Sequence, residues 1–201
     1  IMFEILEDCS PYYIRFKHTG IDDIIKLAKE RLRGVSFENP ESSVFIRKLA
    51  VDPGLELLNL LPYKDKFKFQ TQRVAYIVST PKSRNHIHID GASISFNYGI
   101  DIPDQKCITS WYDFLTVENT YVSRPNLPFD RRSVSADQFP KNPIPSLKSF
   151  THNEGECVLF NADIYHDVNN ESPSHRTILT FRLINPGEVR FDDAKRILFG
   201  L

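Results

Sequence analysis

The chain changes its hydrophobic rhythm about a third of the way along. Before residue 67 the clearest signal has a helical period. In GIDDIIKLAKERLRG, residues Ile21, Ile24, Ile25, Ala28 and Leu32 fall on one face. Asp22 and Asp23 suit the positive N-terminal end of that helix, and Gly34 marks its stop. YYIRFK ahead of it alternates like a strand. SSVFIRKLA reads as a strand or short helix, and PGLELLNLLPY as a further short helix.

From about Phe67 the period drops to two. KFKFQTQRVAYIVST, NHIHID, GASISFNYGI, CITSWYDF and TVENTYVS are short β-like runs. A turn-rich stretch with prolines at 125, 128, 140, 143 and 145 follows, then KSFTHNEGECVLFNA, YHDVNN and HRTILTFRLI. Strands this short and this frequent predict an all-β sandwich or barrel rather than βαβ units. DDAKRILFG predicts a short closing helix. The expected organisation is an N-terminal α/β cap, residues 1–66, packed on a mainly β core, residues 67–201, as one structural unit.

Composition narrows the function classes. Fifteen Phe and eight Tyr favour sheets and aromatic-walled pockets over a helical bundle. Lys plus Arg number 25 against 26 Asp plus Glu, so no long-range field draws the chain to nucleic acid or an anionic membrane. The basic run YKDKFKFQTQR reads as an exposed strand face. Cys9, Cys107 and Cys157 are odd in number, widely spaced and without a CxxC, which argues against a disulfide scaffold and fits a reducing cytoplasm. No apolar run reaches the roughly 18 residues of a membrane span, and the first residues lack a signal-peptide layout. A cytoplasmic protein with no nucleic-acid or membrane partner is expected, its monomeric or dimeric state open.

The candidate chemistry sits in RNHIHIDGAS. On a strand, His86, His88 and Asp90 point the same way. Two imidazoles and a carboxylate can form a facial triad on Fe(II), leaving coordination positions open. His88 and Asp90 lie close enough to share a metal, and a distant strand must supply the third ligand. His166, in FNADIYHDVNN, is the candidate. His18, His152 and His175 read instead as surface or hydrogen-bonded histidines. Arg176 opens RTILTFRL, an almost wholly apolar run. A guanidinium entering a β core needs an anion, either a bound dicarboxylate or an Asp or Glu elsewhere in the core.

HxD, then a later His, then an Arg ten residues on, here His88-Ile89-Asp90, His166 and Arg176, resembles the iron(II)/2-oxoglutarate-dependent dioxygenases. SFNYGIDIPDQKCITSWYDF resembles the second jelly-roll strand and its sequel in small aspartyl/asparaginyl β-hydroxylase-like bacterial or phage members. The likeness covers roughly residues 74–185. It implies a double-stranded β-helix, or jelly roll, with Fe(II) held by His88, Asp90 and His166. It also implies 2-oxoglutarate as cosubstrate, its distal carboxylate on Arg176. The implied activity couples oxidative decarboxylation, giving succinate and carbon dioxide, to hydroxylation of a small polar or peptidyl substrate by molecular oxygen, an amino acid or its side chain being the expectation. Many members carry Ser or Thr two residues after the arginine, where this chain has Ile178. Thr180 shares the face of Arg176 by parity, and Asn97, Tyr112, Tyr76 and Ser95 are further candidate cosubstrate contacts.

Two alternatives stay open at this stage. A cupin-type metal site would use His86, His88 and His166, since Gly155, His166 and Asn170 loosely follow the second cupin motif. The glutamate of the first motif is absent, with Ala92, Ser93 and Ile94 in its place. A nonenzymatic jelly-roll binding protein is the other. His86 is expected beside the pocket, not on the metal. The insertion RPNLPFDRRSVSADQFPKNPIP is long enough for a lid, and Arg124, Arg131 and Arg132 in it could meet a substrate carboxylate or phosphate.

Overall fold

The computed structural model describes residues 2–37, 44–90, 93–120, 144–183 and 188–201. Its strands sort into two antiparallel sheets. The larger has seven strands in the order β1(Phe3–Cys9), β2(Tyr13–His18), β9(Cys157–Asn161), β6(Ile94–Asp101), β11(Arg176–Arg182), β4(Ala75–Ser79), β3(Val44–Lys48). The smaller has four: β5(Ser83–Arg84), β10(His166–Asn170), β7(Cys107–Trp111), β8(Lys148–Thr151). With its helices the chain is a mixed α/β fold, and pairing among the described residues leaves both sheets open-edged. The N-terminal third contributes β1, β2 and β3 to the large sheet.

The large sheet is covered on both faces, which explains the unbroken burial of β6 from Ile94 to Ile100. Phe96 and Tyr98 of β6, with Leu179 and Phe181 of β11, face a core closed by the helices α1(Ile21–Leu32), α2(Val51–Asn59) and α4(Phe191–Phe199). The helix read from period 3.6 is α1, burying Ile21, Ile24, Ile25 and Ala28. The closing helix α4 buries Phe191, Ala194 and Leu198. Among the described residues no helix is long and apolar enough to cross a membrane.

The opposite face of the large sheet meets the small sheet. At one end the contact is aromatic. Trp111 of β7 stacks on Tyr13 (5.4 Å between centroids) and Phe150 (5.4 Å), packs on Phe160 (4.9 Å), and donates its indole N–H to the Asn161 carbonyl. At the other end the sheets enclose a cavity of about 590 Å³. Gly99 of β6 permits the close approach of the Asn153–Glu154 backbone, since a Cβ there would lie 2.1 Å from the Asn153 carbonyl oxygen.

Three runs depart from expectation. In KFKFQTQRVAYIVST only Ala75–Ser79 forms a strand. Thr71–Arg73 is a 3-10 turn, and Phe67 and Phe69 sit in the core ahead of it. TVENTYVS, expected as a strand, instead falls partly in α3(Phe114–Thr120). The Asp113 carboxylate accepts from the Thr116 backbone N–H and hydroxyl at 2.8 Å each and so starts a helix. NHIHID is mostly irregular, with a single bridge at His88.

Candidate metal centre and cosubstrate pocket

The irregularity of NHIHID is what places its side chains. Arg84 pairs with Asn169, but the next pair is His88 with His166, so the first strand spends one more residue than its partner. His88 and His166 exchange both backbone hydrogen bonds, at 2.9 and 3.0 Å. The chain then leaves the small sheet. The Asp90 N–H donates to the Ala162 carbonyl (3.1 Å), and the Ala162 N–H donates to the Ser93 carbonyl as β6 begins. Asp90 therefore lies where the chain crosses between sheets. Alternation survives: Ile87 is fully buried and clusters with Tyr112, Val117 and Tyr165, while His86, His88 and Asp90 line the cavity.

His88, Asp90 and His166 come together with one ligand atom each, all within 4.8 Å of one another. His88 Nε2 stands 3.4 Å from Asp90 Oδ1, and His166 Nε2 3.9 Å from Asp90 Oδ2. The His86 carbonyl accepts from His88 Nδ1 (2.7 Å), and the Ile164 carbonyl from His166 Nδ1 (2.8 Å). A carbonyl only accepts, so each Nδ1 carries the hydrogen and each Nε2 lone pair is turned to the centre. Burial would raise the Asp90 pKa. The Arg182 guanidinium, with His88 and His166 alongside, instead holds it well below the usual carboxylate range. His166 is pulled down to about 4 by burial and by His88. Burial opposes the charged form of His88 too, but the Asp90 carboxylate raises its pKa.

Arg182 was not anticipated. It reaches Asp90 Oδ2 at 3.4 Å. Its signal was available in parity, because it continues the face of Arg176, Ile178 and Thr180 along β11, and all four line the cavity.

Arg176 is 2% exposed, with Nε and Nη1 buried and unpartnered. Burial lowers its pKa, and no carboxylate among the described residues pairs with it. Four more buried atoms lack partners: Ser79 Oγ, Asn97 Oδ1, His152 Nδ1 and Thr180 Oγ1. All belong to residues lining the same cavity. Buried polar groups are nearly always paired, so this concentration offers partners to a polar ligand or to ordered water. Ser79 is the cross-strand neighbour of Arg176, and Thr180 that of Asn97. Ser95 lines the cavity as well, whereas Tyr76 donates its hydroxyl to the Ala28 carbonyl on the helix-covered face.

Tyr112 lies elsewhere. Its hydroxyl donates to Asp167 Oδ1 (2.9 Å), and Arg84 Nε donates to Asp167 Oδ2 (2.7 Å). This buried group ties β5, β10 and the end of β7 together behind the histidines. Of the three histidines set aside, His18 bonds the Tyr98 hydroxyl and the Thr19 carbonyl, while His152, against expectation, lines the cavity. His86 is exposed at the cavity edge and outside the His-His-Asp group, so the three-histidine cupin reading is not supported. Arg124, Arg131 and Arg132 lie outside the described residues.

Two open sheets enclosing a His-His-Asp group and a buried arginine have the fold of the Fe(II)/2-oxoglutarate-dependent oxygenases. HygX from Streptomyces hygroscopicus, solved with nickel, 2-oxoglutarate and hygromycin B bound, superposes with a TM-score of 0.51 at 11% identity, covering 89% of this chain and 84% of that one. An oxidoreductase of the 2OG-Fe(II) oxygenase family from Burkholderia pseudomallei gives 0.51 at 12% identity, covering 86% and 84%. The likeness is one of fold. No protein-family model matches the sequence, and neither does any curated protein.

Proposed function

We propose that the protein is an Fe(II)- and 2-oxoglutarate-dependent dioxygenase of the double-stranded β-helix type. In this reading it hydroxylates a small polar substrate, an amino acid or amino-acid side chain, with succinate and carbon dioxide as co-products. The observation that carries the proposal is that all the unpartnered buried side-chain atoms among the described residues face the one cavity that holds the His-His-Asp group.

The donor set fits the metal, since two neutral imidazole nitrogens and one carboxylate suit Fe(II) and leave positions open. His88, Asp90 and His166 would hold it, and the bound iron would supply the oxygen chemistry. Arg176 would take the distal carboxylate of 2-oxoglutarate through Nε and Nη1. Ser79 opposite it offers the hydroxyl that Ile178 cannot. Thr180, with Asn97 across from it, lies two alternate positions from Arg176 along β11, toward Arg182 and Asp90. Arg182 holds the Asp90 carboxylate in place and keeps it ionised. Residues 1–66, a cap whose strands β1, β2 and β3 join the large sheet, form one structural unit with the 67–201 core. Three free cysteines support a reducing, cytoplasmic compartment.

The test is anaerobic addition of Fe(II) and 2-oxoglutarate. A weak visible charge-transfer band and, on admitting oxygen, slow succinate formation without prime substrate are expected. Absence of both overturns the proposal.

A further inference from the structure

The cavity is electrically one-sided. Among the described residues its lining carries Lys48, Arg73, Arg176 and Arg182 against a single carboxylate, Asp90. Arg182 is spent on Asp90, and Arg176 is assigned to the cosubstrate under the function proposed above, on which this inference rests. Lys48 and Arg73 remain, and neither has a carboxylate partner among the described residues. We infer that the substrate is a small molecule bearing an oxyanion, a carboxylate or a phosphate, which Lys48 and Arg73 hold at the edge of the large sheet away from Arg176.

The sheet register gives the spacing. Lys48 of β3 pairs with Ala75, Ala75 with Thr180, and Thr180 with Asn97, so the four form one row across the cavity face. Lys48 is two strand spacings from β11, about 10 Å. One alternate position along β11 from Thr180, Arg182 touches Asp90. Arg73, half-buried in the 3-10 turn before β4, lines the same end of the cavity. A substrate with its oxyanion between Lys48 and Arg73 can therefore extend some 10 Å inward and bring a carbon to the metal side. A cavity of about 590 Å³ has room for a dicarboxylate and a second molecule of that length.

The charge balance also bears on what the substrate lacks. Asp90 is the only lining carboxylate among the described residues and is already committed, so no anion there is left to receive a substrate ammonium. A cationic substrate would meet like charge at both ends of the cavity. A polynucleotide would supply the phosphate, but the limited volume of the cavity and the net charge of −1 favour a small molecule.

The test uses the full chain loaded with Ni(II) and saturating 2-oxoglutarate, and measures equilibrium binding of four probes: 4-phenylbutyrate, phenyl phosphate, 4-phenylbutyramide and 4-phenylbutylamine. At least one anion should bind about tenfold or more tighter than the amide, the effect of one charge-assisted hydrogen bond, and the amine should bind weakest. The ratio between butyrate and phosphate tells which oxyanion the site prefers. Arg73→Gln and Lys48→Gln should each weaken anion binding about fivefold or more, while Lys26→Gln, on α1, should not. Equal binding of amide and anions, no binding of either anion, or no effect of both substitutions overturns the inference. So does succinate formation stimulated by a single-stranded oligonucleotide and by none of the small anions. The Fe(II)–2-oxoglutarate band, recorded on the same proteins, separates the two readings: its absence removes the oxygenase, whereas a normal band with no anion preference removes only the oxyanion site.

Discussion

His88 and His166 are joined twice, through a reciprocal backbone bridge of 2.9 and 3.0 Å and through rings whose centroids lie 4.5 Å apart with both Nε2 atoms turned toward Asp90. The bridge fixes the separation of the two imidazoles, and their carbonyl partners fix the tautomers. Substituting Ala for His88 or Asp90 removes a donor but no contact of the aromatic wedge, whereas His166→Ala also gives up the edge-on contact of its ring with Phe160 (4.9 Å). Each variant should fold, by circular dichroism. Each should lose Fe(II)-dependent succinate formation by more than the roughly 10–100-fold that follows loss of a partner behind a ligand. Retained turnover in Asp90→Ala would remove the carboxylate from the metal.

A second prediction concerns the group behind the ligands. Asp167 is 1% exposed and accepts from Arg84 and Tyr112, so its carboxylate ties together the strand segments that carry His88 and His166. Asp167→Ala leaves the Arg84 guanidinium and the Tyr112 hydroxyl without this acceptor. Metal affinity, measured by competition with a chelator dye, should fall about 10-fold or more, with a smaller loss for Tyr112→Phe. Unchanged affinity in Asp167→Ala would separate this group from the site.

Much of the site was legible in the sequence because it depends on parity and spacing. The alternation of His86, Ile87, His88, Ile89 and Asp90 reports two faces whether or not the segment pairs as a strand, so the sequence puts His88 and Asp90 on one face, and both line the cavity although NHIHID is mostly irregular. His166 and Arg176 followed from their residue types in β-like runs. Three features were read differently from the sequence. TVENTYVS reads as a strand until the Asp113 cap is considered. His152 resembles any loop histidine, and only the packing of the sheets turns it into the cavity. Tyr112 shares a run with Trp111, yet opposite faces of the chain send one into the inter-sheet wedge and the other to Asp167. Arg182 needed only the parity argument to be carried one step further.

The buried His152 sets a pH dependence. Burial, with Arg176 and Arg15 nearby, holds its pKa well below the usual imidazole value, so the native state keeps it neutral. Once unfolded it takes a proton near pH 6.5. Below that pH the unfolded state binds more protons than the native one, and native stability falls as pH falls, by about 1.4 kcal/mol per unit for one such group. Urea denaturation of the metal-free protein at pH 7.5, 6.5 and 5.5 should show most of the loss, about 1 kcal/mol, in the lower interval. His152→Gln should flatten it by about that amount. An unchanged slope in the variant would mean that His152 is protonated in the native state.

Arg176 gives a test in which the proposed function and the stability of the fold move in opposite directions. In the metal-free protein its guanidinium is buried, with Nε and Nη1 unpaired, an arrangement that opposes folding. Arg176→Met keeps the stem volume and removes the charge, so the metal-free variant should be more stable than wild type by about 1–3 kcal/mol. Cosubstrate binding should move the other way. In the wild type, 2-oxoglutarate at 100 times its Kd adds about 2.7 kcal/mol, readable as a rise in Tm with Ni(II) present. The variant should show almost none of that rise at the same concentration if Arg176 takes the distal carboxylate, as proposed above. A variant that is both less stable and still stabilised by 2-oxoglutarate would mean that Arg176 holds the sheet together and that the cosubstrate carboxylate lies elsewhere in the cavity. The opposed signs expected here cannot arise from a merely damaged fold, which would lower both quantities together.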